Sequence, residues 1–222
     1  MKVALLLPGY IDSPDYLHLK TFDNRLTELG YTVERLDLGD LWKTGKTDRY
    51  TITDFISQIS DRVDFYKRQN PEEIILIGHS RGAFTAIIAG NRIKEISKIV
   101  ALCSPPDIKA SVGKWKNNGP RMSKRDLPNS PQEYREFSIP WSYVEDSLKY
   151  SAIDEVKEIN KPLMIFIALE DEVVPPELTE KIVVNARNPY VVHQPNIGHD
   201  FRFSKSDCNV VMSEIEKFLN IA

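Results

Sequence analysis

The segment Gly78-His79-Ser80-Arg81-Gly82 sets two glycines symmetrically about one serine, directly after the apolar run Ile74-Ile75-Leu76-Ile77. A serine held on a sharp strand-to-helix bend projects its hydroxyl above the sheet. Only small side chains then fit two residues before and two after it. The simpler reading is a glycine-flanked helix start with Ser80 as N-cap. The first reading makes Ser80 a nucleophile, and a serine hydroxyl needs a base to act as one.

Four histidines are available. His18 opens the first helical pattern. His79 adjoins the serine, but neighbours on such a bend point apart. His193 falls in or at the end of the last strand, where a packed ring is expected. His199, in Asn196-Ile197-Gly198-His199-Asp200, lies in a loop that can swing its imidazole over the strand ends, and it is the preferred base. The base needs an orienting carboxylate. Asp171, just ahead of Val-Val-Pro-Pro, is preferred over Glu170 and Glu172, with Asp107 as the outside candidate. The chain order Ser80, Asp171, His199 is one of three unrelated orders in which such triads occur. Acyl transfer also needs donors for an oxyanion. The backbone N–H groups of Arg81, after the serine, and Tyr10, in the Pro8-Gly9-Tyr10 turn, are the candidates.

The elements that must position these groups follow from hydrophobic patterning. Val3–Leu7, Ile74–Ile77, Ile99–Cys103 and Leu163–Ala168 are continuous apolar runs, as a parallel sheet covered on both faces demands. Thr32–Leu36 and Tyr190–His193 are weaker strands. Between them, Phe22, Leu26 and Leu29 form a helical stripe ending at Gly30, and Ile52, Phe55, Ile59, Val63 and Tyr66 form another. Residues 80–91 read as a third helix, and Val211, Ile215 and Phe218 stripe the last. Strand and helix alternate as in a doubly wound sheet.

From Pro105 to about Tyr150 this rhythm lapses, and the segment reads as a cap or lid inserted into a single domain spanning residues 1–222. Its aromatic residues Trp115, Trp141 and Tyr143 are candidates to line a substrate pocket, with Phe137 nearby. Residues 109–125 carry Lys109, Lys114, Lys116, Arg121, Lys124 and Arg125 with no acid among them. That is either a solvated face or a field attracting an anionic substrate.

Composition narrows the classes. The 222 residues carry a net charge of −3 and are 41% hydrophobic, ordinary for a globular chain with no global attraction to nucleic acid or anionic membrane. The N-terminal apolar run is too short for an export signal, so Cys103 and Cys208 are expected as reduced thiols in a cytoplasmic protein. No His/Glu or paired Cys-x-x-Cys ligand spacing is present, so no metal and no other cofactor is expected.

Together "LLLPGY", "GHSRGA", "PLMIFIALEDEVVPPE" and "NIGHDF" resemble, in order, the oxyanion turn, nucleophile elbow, acid segment and histidine loop of the α/β-hydrolase superfamily. Pro8 stands where the family usually has histidine, and Ala168 where it has glycine. The resemblance covers nearly the whole chain. It implies an α/β fold with a minimal, mostly parallel sheet of about six strands, equivalent to the third through eighth of the full fold. The nearest branch looks like single-domain bacterial esterases related to feruloyl (cinnamoyl) esterases. Dienelactone-hydrolase-like and serine-aminopeptidase-like proteins lie nearby, although Ser80 stands where dienelactone hydrolases carry cysteine. The implied activity is a cofactor-independent serine carboxylesterase working on a small anionic or aromatic ester, as a monomer or homodimer. Amide, thioester or C–C bond cleavage on the same triad is the alternative, and a non-catalytic binding protein of the same fold is the alternative from another class.

Overall fold

The structure, a computed structural model, describes residues 1–113, 115 and 119–221, without the side chains of 110, 111 and 221. Lys114 and Lys116 of the basic cluster lie outside the described residues. Six strands form one wholly parallel sheet: β1 (Lys2–Leu7), β2 (Tyr31–Arg35), β3 (Glu73–His79), β4 (Lys98–Leu102), β7 (Leu163–Ala168) and β8 (Tyr190–Gln194), in the order β2-β1-β3-β4-β7-β8. β5 (Arg121–Leu127) and β6 (Ser130–Ile139) make a separate antiparallel hairpin. The helices are α1 (Leu17–Glu28), α2 (Leu41–Thr44), α3 (Ile52–Lys67), α4 (Arg81–Arg92), α5 (Lys109–Val112), α6 (Trp141–Ser147), α7 (Ala152–Val156), α8 (Pro176–Val183) and α9 (Lys205–Ile221).

Alternation along each strand feeds two separate cores. Val3, Leu5, Leu7, Ile74 and Leu76 face α3 and α4 on one side. Ala4, Leu6, Ile75, Ile77 and Phe166 face α1 and α9 on the other. This is why the strand sequences read as unbroken apolar runs. All five residues of the predicted α3 stripe are buried, as are Val211, Ile215 and Phe218 of α9. Each large side chain so buried contributes about 1.5–3 kcal/mol relative to exposure. The α1 stripe ends earlier than its spacing predicts. Leu29 is the C-cap residue and exposed, because the chain turns out at Gly30 with φ +85°.

No helix of the described residues is long and apolar enough to cross a membrane.

The strand order fixes where a site can form. From β1 the chain moves outward to β2, then returns to β3 on β1's other side. The carboxyl ends of β1 and β3 therefore flank a topological switch point, the usual crevice of open α/β sheets. The Pro8-Gly9-Tyr10 turn and Ser80 lie at those ends.

The 105–150 segment contributes α5, the β5–β6 hairpin and α6 to the α3/α4 side, where Trp115, Phe137, Ile139 and Tyr143 join the core. The segment's apolar pattern predicts no strands here. β6 is polar along most of its length, and its strand character comes from pairing with β5, from Arg121 opposite Ile139 to Asp126 opposite Tyr134.

Candidate active site

The glycines about Ser80 are sterically required. A Cβ on Gly78 would stand 2.3 Å from the backbone C and O of Gly82, and one on Gly82 would stand 2.2 Å from Leu7 O. With both absent, α4 starts hard against β1 and β3. Ser80 sits at the turn with φ +54°, ψ −117°, a conformation that costs a non-glycine residue about 1–3 kcal/mol. Two backbone bonds hold it there: Ser80 N–H donates to Leu102 O at 2.8 Å, and Phe84 N–H donates to Ser80 O at 3.1 Å. Its hydroxyl caps no helix N–H.

That hydroxyl lies 2.9 Å from Nε2 of His199, and Nδ1 of His199 lies 2.7 Å from Oδ2 of Asp171. The ring of His199 spans the gap because β7 and β8 are neighbours whose following loops cross-bond. Leu169 N–H donates to Gln194 O and Glu170 N–H to Ile197 O, both at 3.0 Å. Asp171 is 4% exposed. Its other oxygen, Oδ1, accepts from Val173 N–H at 2.9 Å and Val174 N–H at 2.7 Å, which fixes the carboxylate and leaves Oδ2 for the imidazole.

The remaining sequence candidates lie elsewhere. Glu170 and Glu172 are exposed. Asp107 accepts from Lys109 N–H at 2.8 Å and makes no bond to His199. His193, expected to pack, is exposed and paired with Glu180 at 2.5 Å, because the edge strand β8 turns it outward. His79 points beneath the site, its ring 4.9 Å from that of His199, 4.8 Å from Phe201 and 5.2 Å from His18.

The turn after β1 closes over the serine. A Cβ on Gly9 would come 3.5 Å from Ser80 Cβ. Tyr10 O accepts a hydrogen bond from the Arg125 guanidinium at 2.5 Å, and the same side chain meets the buried Asp12 at 2.9 Å. Tyr10 Oη pairs with Ser123 Oγ at 3.2 Å. The backbone N–H groups of Tyr10 and Arg81 donate to no acceptor among the described residues. The hairpin is thus fastened to the turn, and Asp126 fastens it again through the buried Arg202 at 3.2 Å. None of these partners was legible locally. Of the cluster with no acid in its own segment, Arg125 meets Asp12, Lys124 meets Glu136 and Lys109 meets Asp107.

A cavity of about 450 Å³ opens above Ser80, walled by Tyr10, Arg81, Trp115, Tyr143, Val174 and Leu178 among others. Trp115 and Tyr143 therefore share a cavity with the serine. Trp141 is not part of that wall; it stands edge-on to Trp115 at 6.3 Å, and Phe137 packs on Trp42. Nδ1 or Nε2 of His79 and His199 and Sγ of Cys103 come within 4.8 Å of one another, but both nitrogens of His199 already have partners.

His18 and His79 form a buried layer under His199, and none of their ring nitrogens has a hydrogen-bond partner among the described residues. Burial pushes His18 down to about 3, with Arg202 and His199 adding to the shift. Burial likewise holds His79 well below the usual imidazole range. Both rings are neutral in the fold, while the unfolded chain protonates them near pH 6.5. Their contribution to stability is complete above that pH and is lost progressively as pH falls below it, for His18 down to about 3, by up to about 1.4 kcal/mol per pH unit for each histidine. Replacing His18 by phenylalanine is expected to flatten the fall of the urea midpoint between pH 6.5 and 4 relative to wild type. Parallel profiles would show that His18 is not held neutral.

No family model matches the sequence, and no curated protein matches it. Solved structures do. The chain is similar to Est1E from Butyrivibrio proteoclasticus, solved with ferulic acid bound, at 19% identity and TM-score 0.77 over 99% of this chain and 88% of that one. It is similar to MGS-MChE2, an α/β hydrolase from a lagoon-sediment metagenome of Mar Chica, Morocco, at 17% identity and TM-score 0.67 over 99% and 92%. It is also similar to BpoC of Mycobacterium tuberculosis H37Rv, described as a non-heme bromoperoxidase, at 15% identity and TM-score 0.74 over 99% and 92%. The chain has the α/β-hydrolase fold. At these identities the likeness carries the fold, and the reaction has to be argued from the site.

Proposed function

We propose that the protein is a serine hydrolase that cleaves carboxylic esters through an acyl-enzyme. The observation that carries this reading is the unbroken run of contacts from Asp171 through His199 to Ser80, with the serine held at positive φ. In this reading the proton of neutral His199 rests on Nδ1 and is donated to Asp171 Oδ2, so Nε2 is free to accept the Ser80 proton. Ser80 Oγ attacks the ester carbonyl, and His199 returns the proton to the leaving alkoxide. Water, activated by the same imidazole, then releases the acid.

The developing oxyanion falls to the N–H groups of Tyr10 and Arg81. Arg81 is the first residue of α4, where the helix dipole favours negative charge. Trp115 and Tyr143 offer an apolar, aromatic wall for the rest of the ester, and a structural relative that holds ferulic acid supports an aromatic or similarly flat substrate.

The test is covalent. A fluorophosphonate probe is expected to label the peptide containing Ser80 stoichiometrically. Asp171→Asn is expected to slow both labelling and the hydrolysis of p-nitrophenyl acetate and butyrate by about 10³–10⁴-fold, because the imidazole is then held in the wrong tautomer. Labelling at another residue, or none in the folded protein, would remove Ser80 as the nucleophile. Labelling without turnover of any ester from acetate to laurate or of methyl ferulate would redirect the reading to amides or thioesters.

A further inference from the structure

Arg81 brings a charge to the cavity that no carboxylate among the described residues answers. Its residue is only 9% exposed, and it lines the cavity together with Ser80. Nε and Nη1 of its guanidinium have no hydrogen-bond partner among the described residues, and neither has the buried Oη of Tyr143, which lines the same cavity. The neighbouring arginines differ: Arg125 and Arg202 are answered by Asp12 and Asp126. Arg81 instead lies over the rings of Phe84 at 5.3 Å and Tyr143 at 5.8 Å. Ring faces hold a guanidinium in place, but they leave the N–H groups of its edge without acceptors. Buried charges are normally paired, and buried donors normally bonded, so an unpaired one beside a cavity points to a ligand.

A second cation on the same wall, Arg121, stacks at 6.0 Å on Trp115 and also lacks a carboxylate partner among the described residues. The acids on that wall, Asp107 and Glu172, are respectively bonded to Lys109 N–H and turned to solvent.

We infer that the Arg81 side chain receives a carboxylate carried by the substrate, so that the preferred ester is a monoester of a short dicarboxylic acid. The guanidinium, held against two rings beside the cavity, offers a fixed cation for a carboxylate to pair with. Because Ser80 and Arg81 line one cavity of about 450 Å³, a short molecule can present its ester carbonyl to one and its free carboxylate to the other. This inference rests on the ester-hydrolase reading and names its substrate class.

The test compares monoethyl succinate, glutarate and adipate with ethyl butanoate, pentanoate and hexanoate, followed by acid release. Wild type is expected to favour one of the hemiesters over its neutral counterpart by about tenfold or more in kcat/KM. In Arg81→Gln that ratio is expected to fall by about 30-fold, mainly through KM, and Arg81→Lys should recover part of it. A wild-type ratio near one, or a ratio that Arg81→Gln leaves in place, would overturn the inference while leaving the esterase reading intact. Calorimetry with free glutarate supplies a readout that needs no turnover. If no ester is cleaved yet glutarate binds wild type and not Arg81→Gln, the carboxylate site stands and the esterase reading falls. No hemiester preference together with no glutarate binding sinks the site. If Arg81→Gln fails to fold, the wild-type ratio and the lysine variant still decide.

Discussion

Ser80→Ala is expected to lower kcat on short p-nitrophenyl esters by at least about 10⁴-fold and to leave a folded protein. The size of the loss follows from how a triad works. In the proposed mechanism Ser80, His199 and Asp171 act as a unit, so removing the serine hydroxyl forfeits nearly all of the covalent route, and only the oxyanion donors and substrate binding would still accelerate direct attack by water. The structural cost is small. The substitution deletes the 2.9 Å contact with His199, worth about 1 kcal/mol, and keeps the backbone bonds to Leu102 and Phe84. The melting temperature is expected to move by only a few degrees. Turnover within tenfold of wild type in a preparation free of revertant enzyme would exclude Ser80, whatever its geometry.

Gly82→Ala is expected to show the opposite pattern, loss of the fold with the chemistry groups untouched. In most helices this replacement gains about 1 kcal/mol, since alanine is the better helix former. At the first turn of α4 the added Cβ would stand 2.2 Å from Leu7 O and 2.5 Å from Pro8 O, both backbone atoms at the end of β1. Neither can give way cheaply, because Leu7 is registered opposite Gly78 in the sheet. The overlap therefore outweighs the propensity gain. The expected loss is about 3 kcal/mol or more in urea unfolding, or a protein that does not accumulate. Gly113→Ala is the matched control. A Cβ there would meet nothing within 4 Å among the described residues, and stability should change by less than about 0.5 kcal/mol. Equal midpoints for Gly82→Ala and wild type would mean that the bend is not under the constraint described.

Much of this site was legible because its determinants are local. A glycine that must be small, an apolar run that must be covered on both faces, and an acid before Val-Val-Pro-Pro each announce themselves within a few residues. Thus local patterning marks all six parallel strands to within a residue or two, and Ser80, Asp171 and His199 stand out on local signals alone. What escaped depends on contacts across the chain. β6, with the sequence SPQEYREFSI, offers only Phe137 and Ile139 as apolar signals, and its pairing with β5 is not written in period. The cations of 109–125 read as a solvated face or a field because no acid stands among them. In space Asp12 and Glu136 answer Arg125 and Lys124, since Coulomb interactions follow distance and not sequence. The orientation of Arg81 was equally hidden, because the motif constrains its backbone and leaves the direction of its side chain to the packing of Tyr143.

The order of the sheet also gives Ser80 and His199 unequal tenure. Ser80 follows β3, which is clamped between two strands, whereas His199 follows β8, an edge strand held only by β7. Edge elements with half-exposed side chains open at lower free energy than the centre of a sheet. Partial opening would therefore release the imidazole while the strained serine still sat in its bend. In the proposed mechanism, local opening at the edge strand would therefore part base from nucleophile before the centre of the sheet comes undone.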